Sequence, residues 1–470
     1  MIAPPALPLA AILFAMGLMP ILLRKRKLPR LTLPLLTFTL AALTSTLLAF
    51  FIPIPPFKEA SRVGVALTGF FTLGCGLCFY LVSATLSDLQ WNLRWFNAGG
   101  ILLLLWSLAQ ILAWNICHDT YPDWMWQVQR FISASGVLYN WRATGLAYEP
   151  SWLGHQLTML YLPIWLACTQ TGLSAYPKRK LFHLPAISLE NLLLPVGLIV
   201  LYFSYARGSL VAFGMMAAIV ALSLGQRGVN ALSRKLSQRF PNQRPAVFRF
   251  GLWGILIFLA MLTALVGVSF YLQNDLRMQD ALPMLLQKAS FNDLAHKLFF
   301  GERAIFWQAG LDIFSQHPIF GVGLGNAGFF FPQVLPPIGW TMAEPHKMYI
   351  SNELPNTLSL WIRLLSETGT LGFGLFISWL YLLFLAAQRL RRSNQLVWRT
   401  FGWVGLFVLI GLLMEGFSLD TFALPYYWLS LGWLTAASDM YDSSRTRALA
   451  ADSATPPVEN EATPEAPARE

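Results

Sequence analysis

The chain has 470 residues, 56% of them hydrophobic and 12% charged, with a formal net charge of +10 and a mean hydropathy of +0.52. A soluble domain carries about 45–50% apolar and about 25% charged residues, so the composition excludes a soluble enzyme, a disordered chain and a secreted disulfide scaffold. Long apolar runs, each near the roughly 20 residues needed to cross about 30 Å of hydrocarbon, mark a polytopic membrane protein. The runs lack two-residue alternation, and a backbone in lipid must satisfy its own hydrogen bonds, so the spans are read as helices rather than barrel strands.

In chain order the hydropathy pattern predicts about eleven spans: 5–23, 31–52, 64–86, 98–116, 155–173, 189–205, 208–225, 250–272, 369–388, 401–416 and 422–438. The expected fold class is therefore an all-α polytopic integral membrane protein. The first run has no basic residues before it, and Arg24-Lys25-Arg26-Lys27 follows it, so it reads as a span rather than a cleavable signal. Alternation then puts every dense basic cluster on one side: Lys178-Arg179-Lys180, the stretch from Arg227 to Arg244, and Arg389, Arg391 and Arg392. That agrees with the positive-inside rule and makes the excess positive charge topological, with attraction to anionic lipid headgroups secondary and nucleic-acid binding disfavoured. Of the four cysteines, Cys75 and Cys78 sit in the middle of a span, where small residues serve packing; no disulfide framework or zinc site follows from them.

Two long segments fall on the outer side, one from about Cys117 to Gly154 and a large loop over 273–367. Loops of that length carry function or their own helices, and both hold amphipathic, Trp- and Phe-rich stretches. Most of the non-membrane mass, and with it the chemistry, is expected on this face.

Four blocks stand out. Arg142 to His155 leads into the fifth span: Pro150 suits a first helical turn, Glu149 suits the helix N-terminus, and Arg142, Glu149 and His155 would share one rim. Ser204-Tyr205-Ala206-Arg207-Gly208-Ser209 joins two spans with almost no loop; an arginine there is either a snorkelling anchor or a guanidinium fixed to hold phosphate. Gly301 to Phe314, with Arg303 and Trp307, reads as an amphipathic helix ended by His317-Pro318. The glycine run Gly321, Gly323, Gly325 that follows has no preceding strand and no acidic partner, so it reads as a tightly packed turn, not a nucleotide loop. Finally, Pro355-Asn356 can open a helix running to Glu367, with a Glu-Thr-Gly turn before the next span.

At these residues the sequence resembles the O-antigen ligase and polymerase superfamily of bacterial envelope polysaccharide synthesis. The shared pattern is the Arg207-Gly208 hairpin, Arg303 and Trp307 opening a large outer loop, Pro318 to Asn326, and a final stretch with Asn356 and Glu367 to Gly372. The Tyr148-Glu149-Pro150-Ser151 block is similar to a motif of exopolysaccharide-type members. The resemblance implies a GT-C-like membrane glycosyltransferase that takes a glycan from undecaprenyl diphosphate, with inversion and without metal, nucleotide sugar or other cofactor. It places the enzyme in the bacterial inner membrane with its site on the periplasmic or outer face. The partners it implies are an undecaprenyl-diphosphate-linked oligosaccharide, an acceptor glycan, membrane lipids, and a chain-length regulator or flippase. The polymerase is favoured over the ligase by the Glu-Pro-Ser block. The organisation it implies is 1–140 for the N-terminal helices and the start of the first long outer loop, 141–390 for the catalytic region, 391–438 for the C-terminal helices, and 439–470 for a disordered cytoplasmic tail.

The resemblance gives Arg207 and Arg303, with Arg142 beside them, the task of holding the diphosphate. The chemistry agrees, because a leaving diphosphate gains charge in the transition state. Where the family has its catalytic histidine this chain has Pro355, so the base is open. Candidates are His346, ranked first because it lies nine residues upstream in the same loop, and Glu149 or His155 from the other outer segment; Glu367 is expected to support an arginine rather than act as base, and Asn356, and His155 if it is not the base, to support the site. Two other readings compete. A lipid-linked glycan transporter or flippase would show broken or charged helices at the midplane and a repeat, neither of which is evident. A mannosyltransferase of the wider GT-C class would carry paired acidic residues in its first outer loop, where this chain has only Glu59; the chain also has no Asp-x-Asp pair for a metal-dependent nucleotide-sugar enzyme.

Overall fold

The computed structural model describes residues 12, 28–85, 88–117, 120–133, 135–176, 187–239, 249–255, 301–350 and 354–454. The described residues form helices and turns and no strand. In order they are α1 (Thr32–Ala49), α2 (Arg62–Ala84), α3 (Leu89–Ile116), α4 (Asp123–Ile132) and α5 (Pro150–Gln156). A π-turn over Leu157–Tyr161 carries α5 into α6 (Leu162–Thr171). Then come α7 (Leu189–Ser204), α8 (Arg207–Arg239), α9 (Gly301–Gln316), α10 (Ala327–Val334), α11 (Ala343–Ile350), α12 (Leu360–Arg391), α13 (Leu396–Glu415) and α14 (Pro425–Ala454). Among these, α1, α2, α3, α8, α12 and α13 are long and apolar enough to cross a membrane, and α7 is a shorter apolar helix. The runs expected as spans at 5–23 and 250–272 fall largely outside the described residues.

Local chemistry sets the helix starts. Ser61, Asp88, Ser188 and Ser359 each accept a hydrogen bond from a backbone N–H of the helix they precede, satisfying a donor that has no partner within the helix. Pro150 occupies the first turn of α5, where its missing N–H costs nothing. Pro163, at the start of α6, cannot donate to the preceding turn, and the backbone widens into the π-turn just before it. The final helix runs on to Ala454, past the expected start of a disordered tail at 439. Its Ala, Leu, Arg and Met residues favour helix, no proline intervenes before Pro456, and Arg389 of α12 meets Asp442 at 3.2 Å.

The core is a bundle in which α14 packs on α2 while α12 lies against both α1 and α13. Its centre is aromatic. Trp379 stacks on Trp428 at 5.7 Å and meets Tyr80 edge-on at 5.5 Å, and the Tyr80 hydroxyl bonds to Thr435 at 2.9 Å. Gly76, between the free thiols Cys75 and Cys78, lies directly under the Trp428 ring; a Cβ there would overlap the indole and force α2 and α14 apart.

A second, smaller core joins α9 and α10 to the bundle. The buried face of α9 (Phe306, Ala309 and Ile313) packs with Val322, Phe330 and Phe331 and with Phe57 from the loop before α2. The glycine run bonds to the break in α12: Val322 N donates to Ser366 O at 3.0 Å and Gly323 N to Glu367 O at 2.9 Å. Both sides of this junction demand glycine. Gly321 has φ 69° and its Cβ would come within 2.6 Å of Ser366 O; Gly369 has φ 63° and its Cβ would strike Ile319 O. Residues 360–367 and the span beyond thus form two helical segments meeting at Gly369, and the first begins at Leu360 behind its Ser359 cap rather than at Pro355.

Candidate functional site

Two cavities open at the end of the bundle where α5 and α8 begin and α13 ends. The larger, about 600 Å³, is lined by residues from five places in the chain: Arg142, Glu149 with Ser151 and His155, Arg207 with Ser209, Arg303 with Trp307, and Glu415 with Ser418. The structure therefore brings together Arg142, Glu149, His155, Arg207 and Arg303, which are scattered over 142–303 in sequence.

Each is positioned by a local device. Ser204 ends α7, and Tyr205 turns the chain in a left-handed conformation, φ 50°, so that Arg207 is the first residue of α8. Tyr205 is held there by an edge contact with Trp141 at 5.4 Å. Arg142 Nε donates to Ser204 O at 3.1 Å, which ties the first outer segment to the same hairpin. Glu149 is the N-cap residue of α5 and accepts from Ser151 Oγ. Gly154 lets α5 approach α8: a Cβ there would fall 2.6 Å from that of Ala206 and overlap Ser209. Arg303, on the first turn of α9, reaches Leu358 O at 3.3 Å and Ser418 O at 3.4 Å, and Trp307 one turn later packs on Phe417 at 5.6 Å.

Three arginines against two glutamates leave this cavity with a net positive charge, which favours an anionic ligand. Tyr139, on its rim, has its phenol raised above the ordinary range by burial and by the carboxylate of Glu149, against a smaller opposing effect of Arg142; it is a neutral hydrogen-bond donor.

The second cavity, about 370 Å³, is lined by the capping Ser61 and by Thr68 and Thr72 of α2, by Pro355 and Asn356, and by Arg363, Glu367 and Asp420. Glu367 Oε2 accepts from Arg363 Nε at 2.9 Å, Arg363 Nη1 also donates to Asp420 O, and the guanidinium lies over Phe422 at 5.2 Å. Here two carboxylates face one guanidinium, the reverse of the balance in the first cavity. The two linings share no residue, and Ser418 of one lies two residues along the chain from Asp420 of the other.

His346 is placed elsewhere. It lies exposed on α11 and lines neither cavity. Its nearness to Pro355 in sequence does not become nearness to the arginines, because α11 folds away before the chain returns at Leu354. Conversely, Arg363, Asp420 and Glu415 were not singled out from the sequence. Glu415 had a signal, since an ionisable residue at the end of an apolar run is a functional candidate by default. Arg363 had one too, four residues before Glu367 on the same helix face.

Residues 192–377 match the family model described as O-antigen ligase. That stretch includes Arg207, Arg303, Asn356, Arg363 and Glu367, while Arg142, Glu149, His155 and Glu415 reach the same end of the bundle from outside it. No curated protein matches the chain.

Proposed function

We propose that this helical membrane protein, whose residues 192–377 match the O-antigen ligase family model, is a membrane glycosyltransferase moving a glycan from undecaprenyl diphosphate to a sugar hydroxyl. The observation that carries the reading is the convergence of Arg142, Arg207 and Arg303 on one cavity. Guanidinium groups offer planar paired donors suited to phosphate oxygens, and they act most strongly on the charge that builds on the leaving diphosphate. The chemistry is inverting: the acceptor oxygen attacks the anomeric carbon from the side opposite the diphosphate. Holding the diphosphate with arginines gives a route that needs no metal. The second cavity suits the acceptor. Asp420, Asn356 and the α2 hydroxyls provide hydrogen-bond partners for a polyhydroxyl ligand, and its lining comes within two residues of the first cavity at Ser418 and Asp420.

In this reading the base is one of the two groups lining the first cavity, Glu149 or His155, rather than His346, and Glu367 serves Arg363. The reading takes about eleven spans in a GT-C-like arrangement with 141–390 as the catalytic region, and so sets both cavities at the periplasmic or outer face of the inner membrane, where the lipid-linked glycan is presented. The Tyr148-Glu149-Pro150-Ser151 block supports a polymerase over a ligase, working beside a chain-length regulator or flippase.

The test is binding of undecaprenyl diphosphate to the purified protein in nanodiscs. Arg207→Ala and Arg303→Ala are each expected to weaken it about 10–100-fold, the loss of a charge-assisted hydrogen bond worth roughly 1.5–3 kcal/mol. Arg→Lys at either position should recover little, because a lysine cannot make the paired contact. Wild-type affinity in both alanine variants would remove the diphosphate assignment.

A further inference from the structure

Glu415 ends α13 and is fully buried. A carboxylate withdrawn from water is costly unless it is paired, and the partners it keeps show its use. Its Oε1 accepts from Thr158 Oγ1 at 2.7 Å; its Oε2 lies 2.8 Å from His155 Nδ1 and 3.4 Å from Ser418 Oγ. His155 and Thr158 stand three residues apart where α5 opens into the π-turn, and both face α13. A carboxylate can only accept, so the ring proton sits on Nδ1 and Nε2 is left with its lone pair. Nε2 makes no hydrogen bond among the described residues, and His155, nearly buried elsewhere, lines the arginine-rich cavity. The ring is thus anchored at one edge and open toward the cavity at the other.

A buried hydrogen-bonded pair serving packing alone would have no reason to present a nitrogen lone pair to a cavity of about 600 Å³ lined by three arginines. An imidazole held in one tautomer by a buried carboxylate, with its far nitrogen facing the reacting groups, is the arrangement that takes a proton from a hydroxyl nucleophile. We propose that His155 is the catalytic base for the acceptor hydroxyl and that Glu415 is the positioning residue that fixes its tautomer and stabilises its protonated form. This rests on the glycosyltransferase reading above. In the step, the acceptor oxygen forms its bond to the anomeric carbon as the bond from that carbon to the diphosphate oxygen breaks. The electron pair leaves on the diphosphate, whose charge the arginines hold, and the hydroxyl proton passes to His155 Nε2. Release of that proton to water resets the ring. The charged and titratable groups facing the pair are Arg207 from α8, Tyr205 from the turn before it, Glu149 from the start of α5, Tyr139 and Arg142 from the preceding segment and Arg303 from α9, with the hydroxyls of Thr158, Ser209 and Ser418 near Glu415.

The experiment uses the full-length protein in nanodiscs with lipid-linked oligosaccharide extracted from its own host, and undecaprenyl diphosphate as a separate binding probe. His155→Gln is expected to lower kcat about 10²–10⁴-fold, the usual contribution of general-base catalysis, with undecaprenyl diphosphate affinity kept. Glu415→Gln is expected to lower kcat and to move the acid limb of the kcat/KM profile to lower pH, since removing the carboxylate destabilises the imidazolium. Turnover by His155→Gln within about threefold of wild type overturns the proposal, as that is far below the general-base contribution. So does an acid limb that moves with Glu149→Gln and stays in place with Glu415→Gln, which assigns the base to Glu149. Should Glu415→Gln fail to fold, the His155→Gln comparison decides alone. Wild-type protein that binds the diphosphate and transfers no glycan would overturn the glycosyltransferase reading itself, and this step with it.

Discussion

Glu367 offers a test in which structure and chemistry predict opposite outcomes. Its side chain is turned to Arg363 at 2.9 Å, with side-chain exposures of 13% for the arginine and 6% for the glutamate. Arg363 in turn holds the Asp420 carbonyl and covers Phe422. The Glu367 carbonyl accepts from Gly323 N at 2.9 Å and from Ser45 Oγ at 2.8 Å, so the residue sits where α1, the glycine run and the break in α12 meet. Removing one member of a buried pair leaves the other charge uncompensated, at a cost of about 3–5 kcal/mol, whereas replacing both with apolar residues of similar size is close to neutral. Because Asp420 also lines this cavity and offsets part of the arginine's charge, the low end, about 3 kcal/mol, is expected for Glu367→Leu. The assay is a cycle of wild type, Glu367→Leu, Arg363→Met and the double variant, each unfolded by titration with denaturing detergent from mild micelles. Each single change should lower stability by about 3 kcal/mol and the double should lower it by less than about 1.5 kcal/mol, a coupling of at least about 4.5 kcal/mol. Glu367→Gln with stability within about 0.5 kcal/mol of wild type and turnover abolished would refute the reasoning and move Glu367 into the reaction.

Two further outcomes follow from the same geometry. His346→Ala should leave turnover and undecaprenyl diphosphate affinity as in wild type, measured side by side, because His346 is exposed on α11 away from both cavities; a loss beyond about tenfold would show that general-base chemistry passes through it. Gly154→Ala should cost about 1–3 kcal/mol of stability by overpacking the contact with Ala206 and Ser209, and should lower kcat by about 10²-fold by shifting His155 and Arg207 relative to one another. Wild-type kcat in a folded Gly154→Ala variant would show that the α5–α8 approach does not set the site.

The residues of the larger cavity were legible where the chain marks them with punctuation. Glu149 and His155 flank a proline at a helix start, and Arg207 sits in a hairpin too short for an idle arginine. Arg303 opens an amphipathic helix whose apolar face docks as its spacing implies. Such signals are local, and the pattern of charges at the ends of apolar runs places them on one face. Glu415 carried no such punctuation. It closes an apolar run, and only the packing of α13 against the π-turn shows that it meets His155. His346 failed for the complementary reason: nine residues of chain can lead anywhere, and α11 carries it to the surface. The helix limits moved for physical causes as well. Gly369 breaks α12 without ending it, since its left-handed backbone lets Ile319 and Phe320 pass close by, and α14 continues on strong helix formers past the last apolar turn.

The most direct test of the central claim is transfer in a purified system. Full-length protein in nanodiscs is supplied with lipid-linked oligosaccharide from its own host, with chelator present and no nucleotide sugar, and the products are sized on a gel. The account predicts a ladder of longer glycans that disappears with Arg207→Ala and with Arg303→Ala. A single product formed only when a separate acceptor lipid is added would keep the transferase and make it a ligase. Intact substrate with either acceptor, from protein that still binds undecaprenyl diphosphate, would contradict the claim that the arginine-lined cavity is a catalytic site.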